Sequence, residues 1–247
     1  GNVIAEEGVF FNEEAQVSDL ALDPVAFPNA AELQADEVLG RLTVTTTLGD
    51  ANGDGLYEEL YAFGGRSFSI WDTQGNLVYD SGAEFEQIIA DRFPANFNAN
   101  NDENGTFDNR SDNKGPEPEG VTIGEIDGRT YAFIGLERFG GIMTYDITDP
   151  ANAFFVDLVN NRDFAGDAEA GTAGDLGAEG LVFIGPNDSP TGNPLVVVAN
   201  EVSGSTTVFD ASGLVGLGEP EPEVPDAFLD LRDITGVVVT TFTVNRE

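Results

Sequence analysis

The chain contains no cysteine and no histidine. The first absence excludes disulfides, thiol catalysis and zinc–thiolate sites. The second removes the usual general base and the commonest transition-metal ligand. Cations are scarce as well. Only 10 basic residues face 45 acidic ones, giving a formal charge of −35, and Lys114 is the sole lysine. Such a surface offers no positive face to nucleic acid or to an anionic membrane, so neither is expected as a partner. What remains is chemistry by carboxylates, hydroxyls, arginine and a hard cation, and oxygen ligands suit calcium or magnesium best. Salt and divalent ions relieve the self-repulsion of so acidic a chain, which points to a saline, calcium-containing exterior. A signal peptide, a long apolar run and a lipidation motif are also lacking. Because the chain begins at Gly1, it is expected to be a processed or excised piece of a longer protein.

A length of 247 residues can bury one sizeable core and falls in the range of a single all-β domain. The strongest pattern is an internal repeat of strand-forming runs separated by Gly and Asp turns. Residues 119–147, EGVTIGEIDGRTYAFIGLERFGGIMTYDI, and residues 179–211, EGLVFIGPNDSPTGNPLVVVANEVSGSTTVFDA, read alike from end to end. Glu119 aligns with Glu179, Glu137 with Glu201, and Tyr145-Asp146 with Phe209-Asp210. Residues 40–73 form a third, less regular copy closed by Trp71-Asp72, and turns lead on to fourth strands at LVYDSG and FFVDLVN. Repeated sets of four antiparallel strands predict β-propeller blades, about three to four of them; propellers close with about four to eight, so this chain is expected to be part of a larger ring.

Composition divides the chain further. Residues 1–39 read as an N-terminal partial blade or linker, with a strand at VIAEEGVFF and a helix at NAAELQADEVLG. Residues 40–215 carry the blades, interrupted by long loops at 91–118 and 161–178. Residues 216–247 read as an acidic, Pro-rich linker followed by a terminal strand, TGVVVTTFTVN.

Three constellations carry candidate chemistry. In LGDANGDGLYEELYAFGG, residues 48–65, Asp50, Asn52 and Asp54 take alternate loop positions. Gly55 falls where the chain must turn, Leu56 offers a backbone carbonyl and Glu58 ends the set. Tyr61 stands where an EF-hand has its bidentate glutamate, and the flanks read as strands. The expectation is therefore a strand–loop–strand calcium loop; the plain alternative is a hairpin with a solvated acidic tip. The second constellation, RSDNKGPEPEGV at 110–121, concentrates Arg110, Asp112, Lys114, Glu117 and Glu119 before a strand. Glu119 and Glu179, at the same place in successive blades, either project toward the axis and share a cation or accept hydrogen bonds from the next blade's backbone. In the third, Glu137-Arg138 and Asn200-Glu201 end equivalent strands. With Arg66 and Arg162 they are candidates for an anion clamp beside a metal, against the alternative of arginine–carboxylate pairs that lock blades together. No serine or threonine has a base to activate it. Trp71, Tyr145 and Phe209 recur at one position and read as packing aromatics.

YAFGGRSFSIWD, RSDNKGPEPEGV, YAFIGLERFGGIMTYDITDP, NNRDF and VVVANEVSGSTTVFD together resemble the choice-of-anchor I type of secreted bacterial protein, often labelled alkaline-phosphatase-like, over about residues 40–211. The resemblance implies an extracellular propeller, a calcium requirement and a phosphoesterase activity like that of phytase-like propellers. It also implies that this chain corresponds to the C-terminal half of the domain, completed by earlier blades or by another chain. Glu117, Glu119, Glu179 and Glu201 carry over as candidate ligands. The leading expectation is a secreted or surface propeller module stabilised by calcium at Asp50, Asn52, Asp54, Leu56 and Glu58. One competing reading is a calcium-dependent phosphoesterase, in which Glu119 and Glu179 act with Glu201 on the metal, and Arg138 and Lys114 steady the phosphate. The other is an adhesion or matrix protein whose acidic faces are bridged by calcium.

Overall fold

A computed structural model describes residues 3–5, 9–215 and 237–238. These residues are mostly β, in small sheets of two to four strands, antiparallel with one exception, and they fall into two units.

The first unit takes its described residues from Gly1–Gly65, Ser111–Lys114 and Asp230–Glu247. Strands β1 (Val3–Ala5) and β2 (Val9–Phe11) pair as a hairpin within the expected VIAEEGVFF strand, and β3 (Glu14–Gln16) pairs with β4 (Thr43–Thr45). The expected helix at 29–40 is split into α1 (Ala30–Leu33) and a wider π-turn at Asp36–Gly40. Val17, Phe27, Leu33, Leu39, Val44 and Leu60, from β5 (Leu60–Tyr61), form its core. Strands this short leave many backbone groups unpaired, and side chains take up some of them. The Gln34 amide donates to the carbonyls of Val17 and Leu20, both at 2.8 Å.

The second unit comprises Arg66–Arg110 and the described part of Gly115–Leu229. It opens with a hairpin of β6 (Ser69–Trp71) and β7 (Leu77–Asp80), then helix α2 (Glu84–Arg92). Next comes a four-stranded meander, β8 (Pro118–Ile126), β9 (Arg129–Leu136), β10 (Ile142–Asp146) and β11 (Phe154–Val159). The turn between β8 and β9 is Asp127-Gly128 with φ of +50° and +77°, the two-residue loop whose twist matches that of its strands. A second, three-stranded sheet follows: β12 (Ala178–Ile184), β13 (Leu195–Asn200) and β14 (Ser205–Asp210), closed by helix α3 (Ala211–Leu214). The fourth strand expected at FFVDLVN is β11, and LVYDSG contains β7.

The two sheets repeat one backbone pattern. Glu137 donates its N–H to the carbonyl of Glu117 at 2.8 Å, as Glu201 does to Gly177; Arg138 donates to Pro116 at 3.2 Å, as Val202 does to Leu176. These bonds superpose the copies residue by residue. Both first strands bulge at the Glu-Gly pair, Glu119-Gly120 and Glu179-Gly180.

The sheets stack face to face, and glycine makes the approach possible. A Cβ on Gly120 would overlap the Glu179 carbonyl, and one on Gly124 would overlap the Phe183 ring. One on Gly135 would come within 2.7 Å of the Leu181 side chain. Phe183 lies parallel to Phe133, with centroids 6.0 Å apart, and its N–H donates to Thr122 Oγ1 at 3.1 Å. Ile142, Val196, Val198 and Leu214 complete this core. On the far face of the first sheet, Ala132, Ile134, Met143 and Tyr145 pack against Phe85, Ile88 and Ile89 of α2. Burying each large side chain contributes about 1.5–3 kcal/mol.

Two expectations are adjusted. Residues 40–73 do not form one sheet: β4, β5 and β6 belong to three different pairings, because the long acidic loop separates β4 from β5 and leaves β5 two residues long. Of the expected final strand, Val237–Val238 are described and form β15, parallel to β5; the rest of that strand and the Pro-rich linker at 216–227 lie outside the described residues.

Candidate functional site

The acidic loop of the first unit is built by its own backbone. Asp50 accepts from the N–H groups of Gly53 at 2.7 Å and Gly55 at 2.9 Å, Asn52 accepts from Asp54 N–H at 2.8 Å, and Asp54 accepts from Leu56 N–H at 2.9 Å. Gly53 and Gly55 have φ of +77° and +88°, which lets the chain curl around its acidic side chains. Glu58 closes the ring, accepting from Ala51 N–H at 2.9 Å and from the Asn52 amide at 2.7 Å. Carboxylate oxygens of Asp50, Asp54 and Glu58 lie within 4.8 Å of one another; no other group of three among the described residues does so. Like charges at this separation repel, and a hard divalent ion would convert the repulsion into coordination. The donor set is all oxygen, as calcium requires.

Arg110 and Glu117 of the second constellation meet Glu137 and Arg138 of the third in the second unit. Glu117 is buried and accepts from Arg110 Nη2 at 2.5 Å on one oxygen and from Arg138 Nε at 3.0 Å on the other. Arg138 also reaches Glu137 at 3.1 Å and the Asn101 carbonyl oxygen at 2.8 Å, and the Asn101 amide returns to Glu137 at 3.3 Å. Burial, hydrogen bonds with Glu117 and Glu119 and the nearby Glu117 charge push the Glu137 carboxyl up to about 8, against the pull of Arg138. Glu117 has φ of +54°, a left-handed conformation that side chains avoid. Its counterpart in the next sheet is Gly177, with φ of +75°. The fold thus demands a glycine-like backbone here, and the first sheet places a buried carboxylate on it.

The remaining candidates separate. Glu119 lies exposed on β8 beside Glu137, Glu179 exposed on β12, and Glu201 exposed in the turn after β13. Glu119, Glu179 and Glu201 are not drawn together as a ligand set. Lys114 belongs to the first unit, where it lies against Gly64. Arg66 pairs with Glu86 at 2.7 Å. Arg162 is buried: its guanidinium donates to Asn104 Oδ1 and to the carbonyls of Glu103, Arg138 and Phe139, and lies 4.6 Å from the Phe164 centroid. Burial lowers its pKa to about 10. Arg66 is thus held by a carboxylate, and Arg162 by an amide oxygen and backbone carbonyls. Sequence reasoning missed Asn101, and did not assign Glu137 a proton. The alignment of Pro116-Glu117-Pro118-Glu119-Gly120 with Leu176-Gly177-Ala178-Glu179-Gly180 carried the signal, a glutamate standing where its repeat has glycine.

The chain belongs to the choice-of-anchor I domain family, whose sequence profile matches residues 3–150. Gigasin-3a from Magallana gigas is 34% identical over 194 residues, covering 74% of this chain and 68% of that protein. The mesenchyme-specific cell surface glycoprotein of Strongylocentrotus purpuratus is 28% identical over 163 residues, covering 60% of this chain but 21% of that protein. No solved structure matches. No helix among the described residues is long and apolar enough to cross a membrane.

Proposed function

We propose that this chain is an extracellular, surface-displayed or secreted module of the choice-of-anchor I family, and that calcium bound by its acidic loop has a structural role. The convergence of Asp50, Asp54 and Glu58 carries the reading. Asp50, Asn52, Asp54 and Glu58 supply side-chain oxygens, and Leu56 its carbonyl. Bound calcium supplies charge neutralisation, and through it the linkage of ion binding to the order of this segment. The surface location draws on family membership and on the cell-surface relative. The stacked sheets of the second unit fit successive propeller blades, which pack in this face-to-face way. Isothermal titration with calcium tests the loop: the chain should bind calcium and Asp54→Ala should bind markedly more weakly, and equal heats from both would refute the assignment.

A second reading, calcium-dependent phosphoester hydrolysis, is favoured by one observation. Glu137 holds a proton at neutral pH beside Glu119, as a general acid must. Against it, Glu117 and Arg138 are already bonded to each other. Hydrolysis of a phosphate monoester and diester, in calcium and in chelator, decides: turnover lost in Glu119→Gln supports catalysis, and no turnover leaves the structural reading alone.

A further inference from the structure

Where the first sheet ends in apolar side chains, the second ends in polar ones. The superposition of the two copies aligns Asn200 with Leu136, Thr207 with Met143, Ser205 with Gly141 and Asp175 with Gly115. Leu136 and Met143 are fully buried in the core that faces α2. Asn200 is placed almost as deeply, at 5% exposure, on the face of β13 that carries the core residues Val196 and Val198. Polar groups in a core position cost stability unless each donor and acceptor finds a partner.

The side-chain protons of this cluster are all committed. Ser205 Oγ donates to one oxygen of Asp175 and Thr207 Oγ1 to the other, both at 2.6 Å. Each hydroxyl has a single proton, so toward Asn200 both can only accept. Asn200 Nδ2 accordingly donates to them, at 3.2 and 3.3 Å, and this fixes the orientation of the amide. Asn161 Nδ2 donates to Asp175 at 3.3 Å. Asn200 Oδ1 is left turned away from the hydroxyls and accepts no hydrogen bond among the described residues.

A cavity of about 10 Å³, room for one water-sized guest, lies at this point. Ile142 of the first sheet and Val198 and Phe209 of the second form its apolar wall, and Asn200, Asp175 and the exposed Asn161 form its polar lining. The lining side chains offer acceptors alone: the two amide oxygens and the carboxylate. A water has two protons for these three acceptors and finds no side-chain donor for its own lone pairs. A cation meets all three oxygens. Charge argues in the same direction. Glu117, Glu137 and Asp146, the buried carboxylates among the described residues, each lie against an arginine, whereas Asp175 bonds to hydroxyls and an amide. Calcium takes about six to eight oxygens, more than this lining supplies, and one carboxylate balances a single positive charge.

We propose that Asp175, Asn200 and Asn161 form a site for a monovalent metal cation, sodium or potassium. The ion ties the loop at 161–178 to the inner end of the second sheet, where the first sheet has the apolar contacts of Leu136 and Met143.

Thermal melting of the full chain in chelator tests this, at a constant ionic strength of about 0.3 M, with choline chloride exchanged stepwise for sodium or potassium chloride. Choline is too large for the cavity. The wild-type midpoint should climb along a saturating curve, by about 3–6 °C where the ion reaches about ten times its Kd. Asn200→Leu removes the amide oxygen and restores the side chain of the first sheet. Asp175→Asn removes the charge with almost no change of shape, and keeps the test open should Asn200→Leu disturb folding. In both variants the climb should vanish. The acidic loop is intact in all three proteins, so a response of its own is common to them and cancels in the comparison. The ion that saturates at the lower concentration is the preferred one. A wild type that melts alike in choline, sodium and potassium would leave the cavity to water and overturn the proposal, as would a climb that survives in either variant.

Discussion

Replacing Glu117 separates two opposing effects that the structure places on one residue. With φ of +54° its backbone carries about 1 kcal/mol or more of strain. Its carboxylate is the buried partner of two arginines whose side chains are 19% and 28% exposed. Breaking a buried pair costs about 3–5 kcal/mol, and the partial exposure of both arginines argues for the lower end. In Glu117→Gly the strain disappears, but the unfolded chain gains freedom worth about 0.5–1 kcal/mol, so the backbone terms nearly cancel. The expected loss is about 3 kcal/mol, nearly all of it from the stranded arginines. Glu117→Ala keeps the strain and should be worse than glycine by about 1 kcal/mol. Urea unfolding at pH 7, followed by circular dichroism, measures both against the wild type. Wild-type stability in Glu117→Gly would show that the carboxylate holds nothing. Equal stability of the glycine and alanine variants would show that no strain is stored there.

Other expectations follow from the same geometry. Glu137 keeps its proton in the folded chain up to about 8, while the unfolded chain releases it near 4.5. Stability should therefore fall as pH rises between those values, by about 1–3 kcal/mol once screening by water is allowed for, and a urea series should show Glu137→Gln flattening that slope. Arg162→Ala should remove a donor from the carbonyls of Glu103, Arg138 and Phe139 and from Asn104 Oδ1, costing about 2–4 kcal/mol, and limited proteolysis should then cut between residues 100 and 106 where the wild type resists. Gly124→Ala should press on the Phe183 ring and cost about 1–3 kcal/mol of overpacking, read as a lowered midpoint, whereas Gly180→Ala, whose added Cβ meets only Ala199 at 3.7 Å, should be nearly neutral.

The sheets were legible because their strands are long and alternate with unambiguous turns: Asp127-Gly128 and the aromatic-Asp strand ends mark β8 to β10 directly. The third copy was not, since its middle is an acidic loop and its strands shrink to two or three residues, β4 and β5 pairing with β3 and β15, partners no local pattern identifies. The loop at 91–118 looked like an unanchored insertion because it has few apolar residues. It is held instead by polar contacts at long sequence separation, such as Arg138 with Asn101 and Arg162 with Asn104. The acidic loop could be read from spacing alone, because local backbone bonds form it. The Glu117 and Glu137 cluster could be read only in part: the residues were visible, but their burial and shared proton depend on which strands meet.

Thermal melting in saturating calcium and in chelator, for the wild type and for Asp54→Ala, tests the central claim most directly. Calcium at about 100 times its Kd contributes about 2.7 kcal/mol, a rise of about 5–10 °C for a chain of this size. The account predicts that rise in the wild type and its loss in Asp54→Ala. The same melting temperature with calcium and with chelator, or an equal rise in both proteins, would contradict it.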